Sequence, residues 1–133
     1  MKTLFKMIPV AILAMTATAT MAQGLAAGDV KEAFASTTSK QAVNYSCQNG
    51  KKVRVTYGFN KQGLPTYAMA NVNGKTRTMP INLGDSGGNM TVFGEENSYI
   101  LSADAITKRN ARRSSMMITG PDNVIEFKGC RVR

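Results

Sequence analysis

From residue 45 the chain reads YSCQNGKKVRVTYGFNKQGL, and its apolar side chains recur at every second position on both sides of an Asn-Gly pair. Val43, Tyr45 and Cys47 share one face; after the pair, Val53, Val55, Tyr57 and Phe59 share another, with Lys52, Arg54 and Thr56 on the reverse. A period of two is the signature of a strand with one buried and one wet face, and Asn49-Gly50 supplies the residues that a tight hairpin turn needs. The stretch therefore predicts a β-hairpin. Its apolar face must be covered by whatever the rest of the chain provides.

What the rest provides is more of the same. Counted from residue 42, eight short strand candidates occupy 43–48, 52–59, 65–72, 75–81, 89–93, 98–103, 114–119 and 123–128. Turn residues separate most of them, at Asn49-Gly50, 60–63, Asn73-Gly74, 84–88, 94–97 and 120–123. Short strands at this spacing predict an all-β antiparallel domain. Without a helix long enough to cover one face, such a sheet curls on itself, so a small eight-stranded antiparallel β-barrel is expected, with its edges hidden by closure. A membrane-spanning barrel needs longer strands with an apolar outer face, whereas Lys52, Arg54 and Thr56 belong in water. The segment DAITKRNARR (104–113) is basic and lacks alternation. It reads as a long loop, either simply solvated or a binding patch.

The N-terminus is of another kind. Lys2 and Lys6 precede the apolar run MIPVAILAM (7–15), and small residues around Met21 resemble an export cleavage site, so 1–22 is expected to be a signal peptide and Gln23 the mature start. Ala19 offers the alternative cut. Residues 23–41 form a spacer, either lacking regular structure or holding a short helix capped by an Asp29/Glu32 box; the barrel spans 42–133. In an oxidising compartment the two cysteines, Cys47 and Cys130, are expected to pair. Closing a loop of roughly 84 residues is worth roughly 4.5 kcal/mol in the chain-entropy model.

The chain has no histidine, which removes the common zinc, copper and haem ligand sets and every His-based nucleophile. No phosphate-binding or dinucleotide motif appears. Glu95 and Glu96 are neighbours, and strand neighbours point to opposite faces, so they make a poor acid/base pair. The expectation is a binding protein rather than an enzyme, without metal or cofactor. Removing Lys2 and Lys6 with the leader leaves fifteen basic and eight acidic residues, a net charge of +7. Anionic partners suit that charge. Export argues against nucleic acid, and once the leader is cleaved no membrane-spanning segment remains.

YSCQNGKKVRVTYGFNKQGLPTYAMANVNGK (45–75), MPINL (79–83) and MMITGPDNVIEFKGC (116–130) resemble the adhesin complex protein family of Gram-negative bacteria, including the positions of both cysteines. The resemblance implies an eight-stranded antiparallel barrel with one disulfide, similar to the periplasmic and membrane-bound inhibitors of C-type lysozyme. It also implies an exported protein of the periplasm or outer membrane, with two binding roles in host interaction and virulence: adhesion to host cells and inhibition of host lysozyme.

Lysozyme cleaves with two carboxyl groups flanking the scissile bond, and a loop that offers them a hydroxyl or an ammonium group blocks the cleft. In the related inhibitors a Ser-Gly loop and a downstream lysine do this. Carried over, Ser86-Gly87 in LGDSGGNM is the best match to the Ser-Gly element, with Met90 where an aromatic is expected. Glu95 and Glu96 stand where the lysine is expected, which moves the cationic contact to Lys108, Arg109 or the arginines that follow. The expected lysozyme contacts are thus Ser86, Gly87, Asn89, Glu95, Glu96, Lys108 and Arg109. The alternative is a surface adhesin that meets anionic host ligands with the Lys52/Arg54 strand face and the 108–113 loop.

Overall fold

The structure, a computed structural model, describes residues 29–133; the segment 1–22 expected to be a signal peptide, and residues 23–28 of the expected spacer, lie outside the described residues. A short helix, α1 (Val30–Ser36), precedes strands β1 (Ser39–Ser46), β2 (Lys52–Phe59), β3 (Pro65–Val72), β4 (Lys75–Pro80), β5 (Met90–Phe93), β6 (Ile100–Asp104), β7 (Ser115–Thr119) and β8 (Ile125–Val132). All paired strands are antiparallel, in the order β4-β3-β2-β1-β8-β7-β6-β5, and the sheet curls into a nearly closed barrel. The period-two face of the hairpin is its inner wall: Val43, Tyr45, Val53, Val55, Tyr57 and Phe59 are all buried, packed with Ala68, Val72, Met79, Phe93, Leu101 and Ile118.

β1 starts at Ser39, inside what alternation alone assigns to the spacer, because its ladder with β2 runs on to the Ser39–Phe59 pair. The helix is capped by the Asp29 carboxylate, which accepts from Lys31 N at 3.4 Å. It packs on the outside of the barrel. There Phe34 meets the ring of Tyr67 edge-on at 4.8 Å, and that ring in turn lies across Gly58, where a Cβ would strike it.

Closure rests on two seams. Between β1 and β8 only Tyr45–Val132 and Ser46–Arg131 are paired, and the Cys47–Cys130 disulfide, with Cα atoms 4.0 Å apart, staples the strands beside them. Between β4 and β5 the join is the Ile81–Phe93 bridge, flanked by Gly94 N donating to Pro80 O (2.7 Å) and Asn82 N to Val92 O (2.8 Å).

At one end of the barrel lie the hairpin turns, with Asn49-Gly50 and Asn73-Gly74 both at positive φ, as left-handed turn residues require. The other end is closed by the 105–114 segment. Far from being a free loop, it buries Ile106 and Ala111 in the mouth and crosses to the opposite wall, where Lys108 N donates to Gly63 O (2.9 Å) and Gln41 Nε2 to Lys108 O (2.9 Å). A buried hydroxyl chain anchors this lid. Ser114 Oγ donates to Ala111 O (2.7 Å), so it accepts from Tyr45 (2.6 Å), whose own oxygen accepts from Tyr57 (2.8 Å).

Burial pushes the Tyr45 and Tyr57 phenols well above their ordinary value near 10. Because the folded values are raised, their stabilisation is complete below pH 10 and is lost as pH climbs toward the folded values. Denaturant titrations across pH are therefore expected to give level stability up to about pH 10 and a fall above it. A Tyr45→Phe, Tyr57→Phe variant should start lower and fall less steeply. An equal fall in that variant would place the alkaline sensitivity elsewhere.

Candidate binding site

The expected contact residues fall at two ends of the barrel. Residues 83–89 connect β4 to β5 at the lid end. Asn82, buried at the loop's base, donates through Nδ2 to Gly94 O (3.0 Å) and Asp85 Oδ2 (3.1 Å) and accepts from Asp85 N (3.1 Å). Ser86 Oγ donates to Asn82 O (2.7 Å) and accepts from Val92 N (2.9 Å), and Gly87 N donates to Met90 O (2.9 Å). The serine hydroxyl thus serves as an extra rung on the outer edge of β5, and its one proton is committed inside the loop. What the loop presents to solvent is Leu83, 78% exposed, with Gly87, Gly88 and Asn89.

Glu95 and Glu96 are exposed at the far end of β5, in the turn at 94–99. Four residues of strand separate them from Asn89, roughly 13 Å at the usual strand rise. Gly94, at φ 90°, is required here, because a Cβ would collide with the Tyr99 carbonyl oxygen. The turn leans on β4. Tyr99 stacks under Arg77, 4.4 Å from ring centre to guanidinium, and its hydroxyl accepts from Asn73 Nδ2 at 3.1 Å. Ser86, Gly87, Asn89, Lys108 and Arg109 therefore share the lid end, while Glu95 and Glu96 face away from it. The two groups at the lid end are linked by Ile106 N donating to Thr91 Oγ1 at 3.0 Å.

Cations gather on a third surface. The outward residues of β1 are Lys40, Ala42, Asn44 and Ser46; those of β2 begin with Lys52, Arg54 and Thr56. Ser46 sits between Lys52 on β2 and Arg131 on β8, and Asn44 between Arg54 and Arg133, whose N donates to Asn44 O at 3.1 Å. The one-turn Ala111–Arg113 segment of the lid packs against β1 and β8, bringing exposed Arg112 and Arg113 to the same region. Between Ala33 and Gly84 the chain has no aspartate or glutamate, so β1 to β4 carry no carboxylate at all. Lys40 escapes a reading that begins the first strand at 43, and Arg131 and Arg133 escape one that ends the last strand at 128. The available signal was Cys130: if its sulfur faces the core, the residues on either side face out.

Across β5 to β8 lies an open depression of about 370 Å³, whose lining includes Met90, Met117, Asp104 and Arg131. Among the described residues, no group of three metal-ligating side chains comes together, and no helix is long and apolar enough to cross a membrane.

With this geometry in view, the chain compares as follows. Residues 41–132 match the family model described as the ACP-like domain. Among solved structures, the Adhesin Complex Protein from Neisseria meningitidis aligns at 50% sequence identity and a TM-score of 0.67, covering 70% of this chain and 99% of that one. No curated protein matches.

If Ser86 acts as a rung, Ser86→Ala leaves Val92 N without its partner, while Asn82 O keeps the Ser86 amide, and should cost about 1–3 kcal/mol. Amide hydrogen exchange is expected to speed up at Val92 and Gly87 before anywhere in β1 or β2. Unchanged exchange there would mean that the hydroxyl does not hold the edge.

Proposed function

Because this chain belongs to the ACP-like domain family, we propose that it is an exported, surface-associated adhesin that holds anionic ligands on host cells through the outer face of β1 and β2 and the adjoining basic lid. The observation that carries this reading is the segregation of charge. Lys40, Lys52, Arg54, Arg112, Arg113 and Arg131 come from four separate parts of the chain, and the fold gathers them around β1, which like its partner β2 carries no carboxylate. Such a surface raises the local concentration of polyanions and speeds encounter, and its effect weakens as salt screens it. Nothing in the reading requires a catalytic group, a metal or a cofactor.

The test is attachment of labelled, oxidised mature protein to cultured host cells. Attachment should fall steeply between low and physiological salt, and Arg112→Gln with Arg113→Gln should reduce it about fivefold at physiological salt. Attachment indifferent to both would remove the basic face from the adhesive role.

A second reading, inhibition of C-type lysozyme, is favoured by one specific feature: the exposed tip of the 83–89 loop and the cations Lys108 and Arg109 stand at the same end of the barrel. An ammonium and a guanidinium group there can pair with the two carboxyl groups of the enzyme's cleft while Leu83, Gly87 and Asn89 fill it. Ser86, its proton already committed, contributes by shaping the loop. Glu95 and Glu96 sit at the opposite end and do not meet the enzyme's carboxylates. In a cell-wall lysis assay, Lys108→Ala with Arg109→Ala should weaken inhibition about tenfold, and Glu95→Lys with Glu96→Lys should leave it unchanged. The reverse pattern would put the turn end, not the lid end, in the cleft.

A further inference from the structure

We infer that the ligand of the basic face is a single linear, highly sulfated polysaccharide lying lengthwise along β1, an inference that rests on the adhesive reading above. The reason is the shape of the charge, beyond its amount. β1 is the one strand of this face whose outward side chains past Lys40 are short and uncharged, namely Ala42, Asn44 and Ser46. On one side its direct neighbours are Lys52 and Arg54, opposite Ser46 and Asn44; on the other side they are Arg131 and Arg133.

Long cationic side chains thus form two rails about 10 Å apart, with pairs repeating about every 7 Å along the strand. Between them runs a polar trough one strand wide. Arg112 and Arg113 border its lid end, and Lys40 lies within it there.

A linear sugar chain carries sulfate groups along both of its edges, so each edge meets one rail. The Asn44 amide and Ser46 hydroxyl are exposed and, among the described residues, neither side chain takes part in a hydrogen bond, so both can bond ring and hydroxyl oxygens. Guanidinium groups recognise sulfate bidentately, as they do phosphate and carboxylate.

The same surface is poorly made for other polyanions. Single-stranded nucleic acid is held by stacking on aromatic side chains. The outward positions of β1, and Lys52, Arg54, Arg131 and Arg133 beside them, offer none. Binding to a lipid surface draws on apolar side chains at the interface, and apart from the Ala42 methyl the trough has none.

The decisive experiment measures binding of the full mature protein to heparin octasaccharide, to its desulfated counterpart and to oligothymidylate of matched charge, over a range of salt. Heparin should bind in physiological salt, and the other two at least about tenfold more weakly. Lys52→Gln with Arg54→Gln removes one rail and should weaken heparin about tenfold, lowering the slope of log affinity against log salt by about 1 to 2. Lys61→Gln with Lys75→Gln removes the same charge from exposed turn and strand-end positions and should weaken it less than about twofold. Asn44→Tyr fills the trough without changing charge and should also weaken heparin. Thermal melts confirm that each variant is folded.

Equal loss from the rail pair and the control pair would overturn the proposal in favour of diffuse attraction, as would oligothymidylate binding as tightly as heparin. Cell attachment that survives enzymatic removal of sulfated glycans would end it while leaving the adhesive reading intact. Failure of the unaltered protein to attach to cells would instead remove the adhesive reading.

Discussion

Every end strand of a sheet carries a row of backbone donors and acceptors that must find partners, and this barrel is organised around satisfying them. On the β5 edge, Asn82 N reaches Val92 O and Gly94 N reaches Pro80 O; where the strand supply runs out, the Ser86 hydroxyl and Gly87 N stand in. On the β1–β8 seam, backbone pairing is shorter still, and covalent closure takes over through Cys47 and Cys130. Constraining a loop of that length in the unfolded chain contributes roughly 4.5 kcal/mol. That is comparable with the whole net stability of many small domains. The lid completes the closure, and its hydroxyl chain to Tyr45 and Tyr57 ties it to the same hairpin from which the barrel grows.

Closure also decides where function can reside. The interior is filled by Tyr45, Tyr57, Phe59, Phe93 and Met79, and the mouth is plugged by Ile106 and Ala111, so recognition has to happen on the outside. Two outer regions remain with distinct chemistry: a basic face around β1 and a lid end with its exposed 83–89 loop. The acidic turn at Glu95 and Glu96 lies apart from that loop, at the far end of β5. One small barrel can therefore present separate surfaces to separate partners, because strands fix the separation of its two ends.

Much of this was legible in the residues. The bounds of β2 and β3 follow from alternation and from the flanking turns, and the pairing of Cys47 with Cys130 follows from compartment and count. What was not legible has physical causes. Ser39 and Gln41 are polar residues on the inward side of β1, beneath the lid, so they break the alternation that marks a strand. After Phe127 the β7–β8 register shifts, with Gly129 at φ 59°, and that irregularity hides the outward pair Arg131 and Arg133. Ile106 and Ala111 plug a hole from a segment without regular structure, where no period exists to announce burial. The Ser-Gly element was visible as a motif, but where its proton goes depends on Asn82 and Val92, which only the folded loop brings to it.

The length of the β1–β2 ladder has a mechanical consequence. All eight residues of β1 are paired with β2, its far end is stapled by the disulfide, and a polymer bound along it as proposed would pull parallel to the strand. Tension in that direction loads the rungs side by side, in shear, so they resist together; a pull across the strand would peel them open one after another. A small protein that grips this way can keep its shape when a flowing fluid drags on the cell behind it.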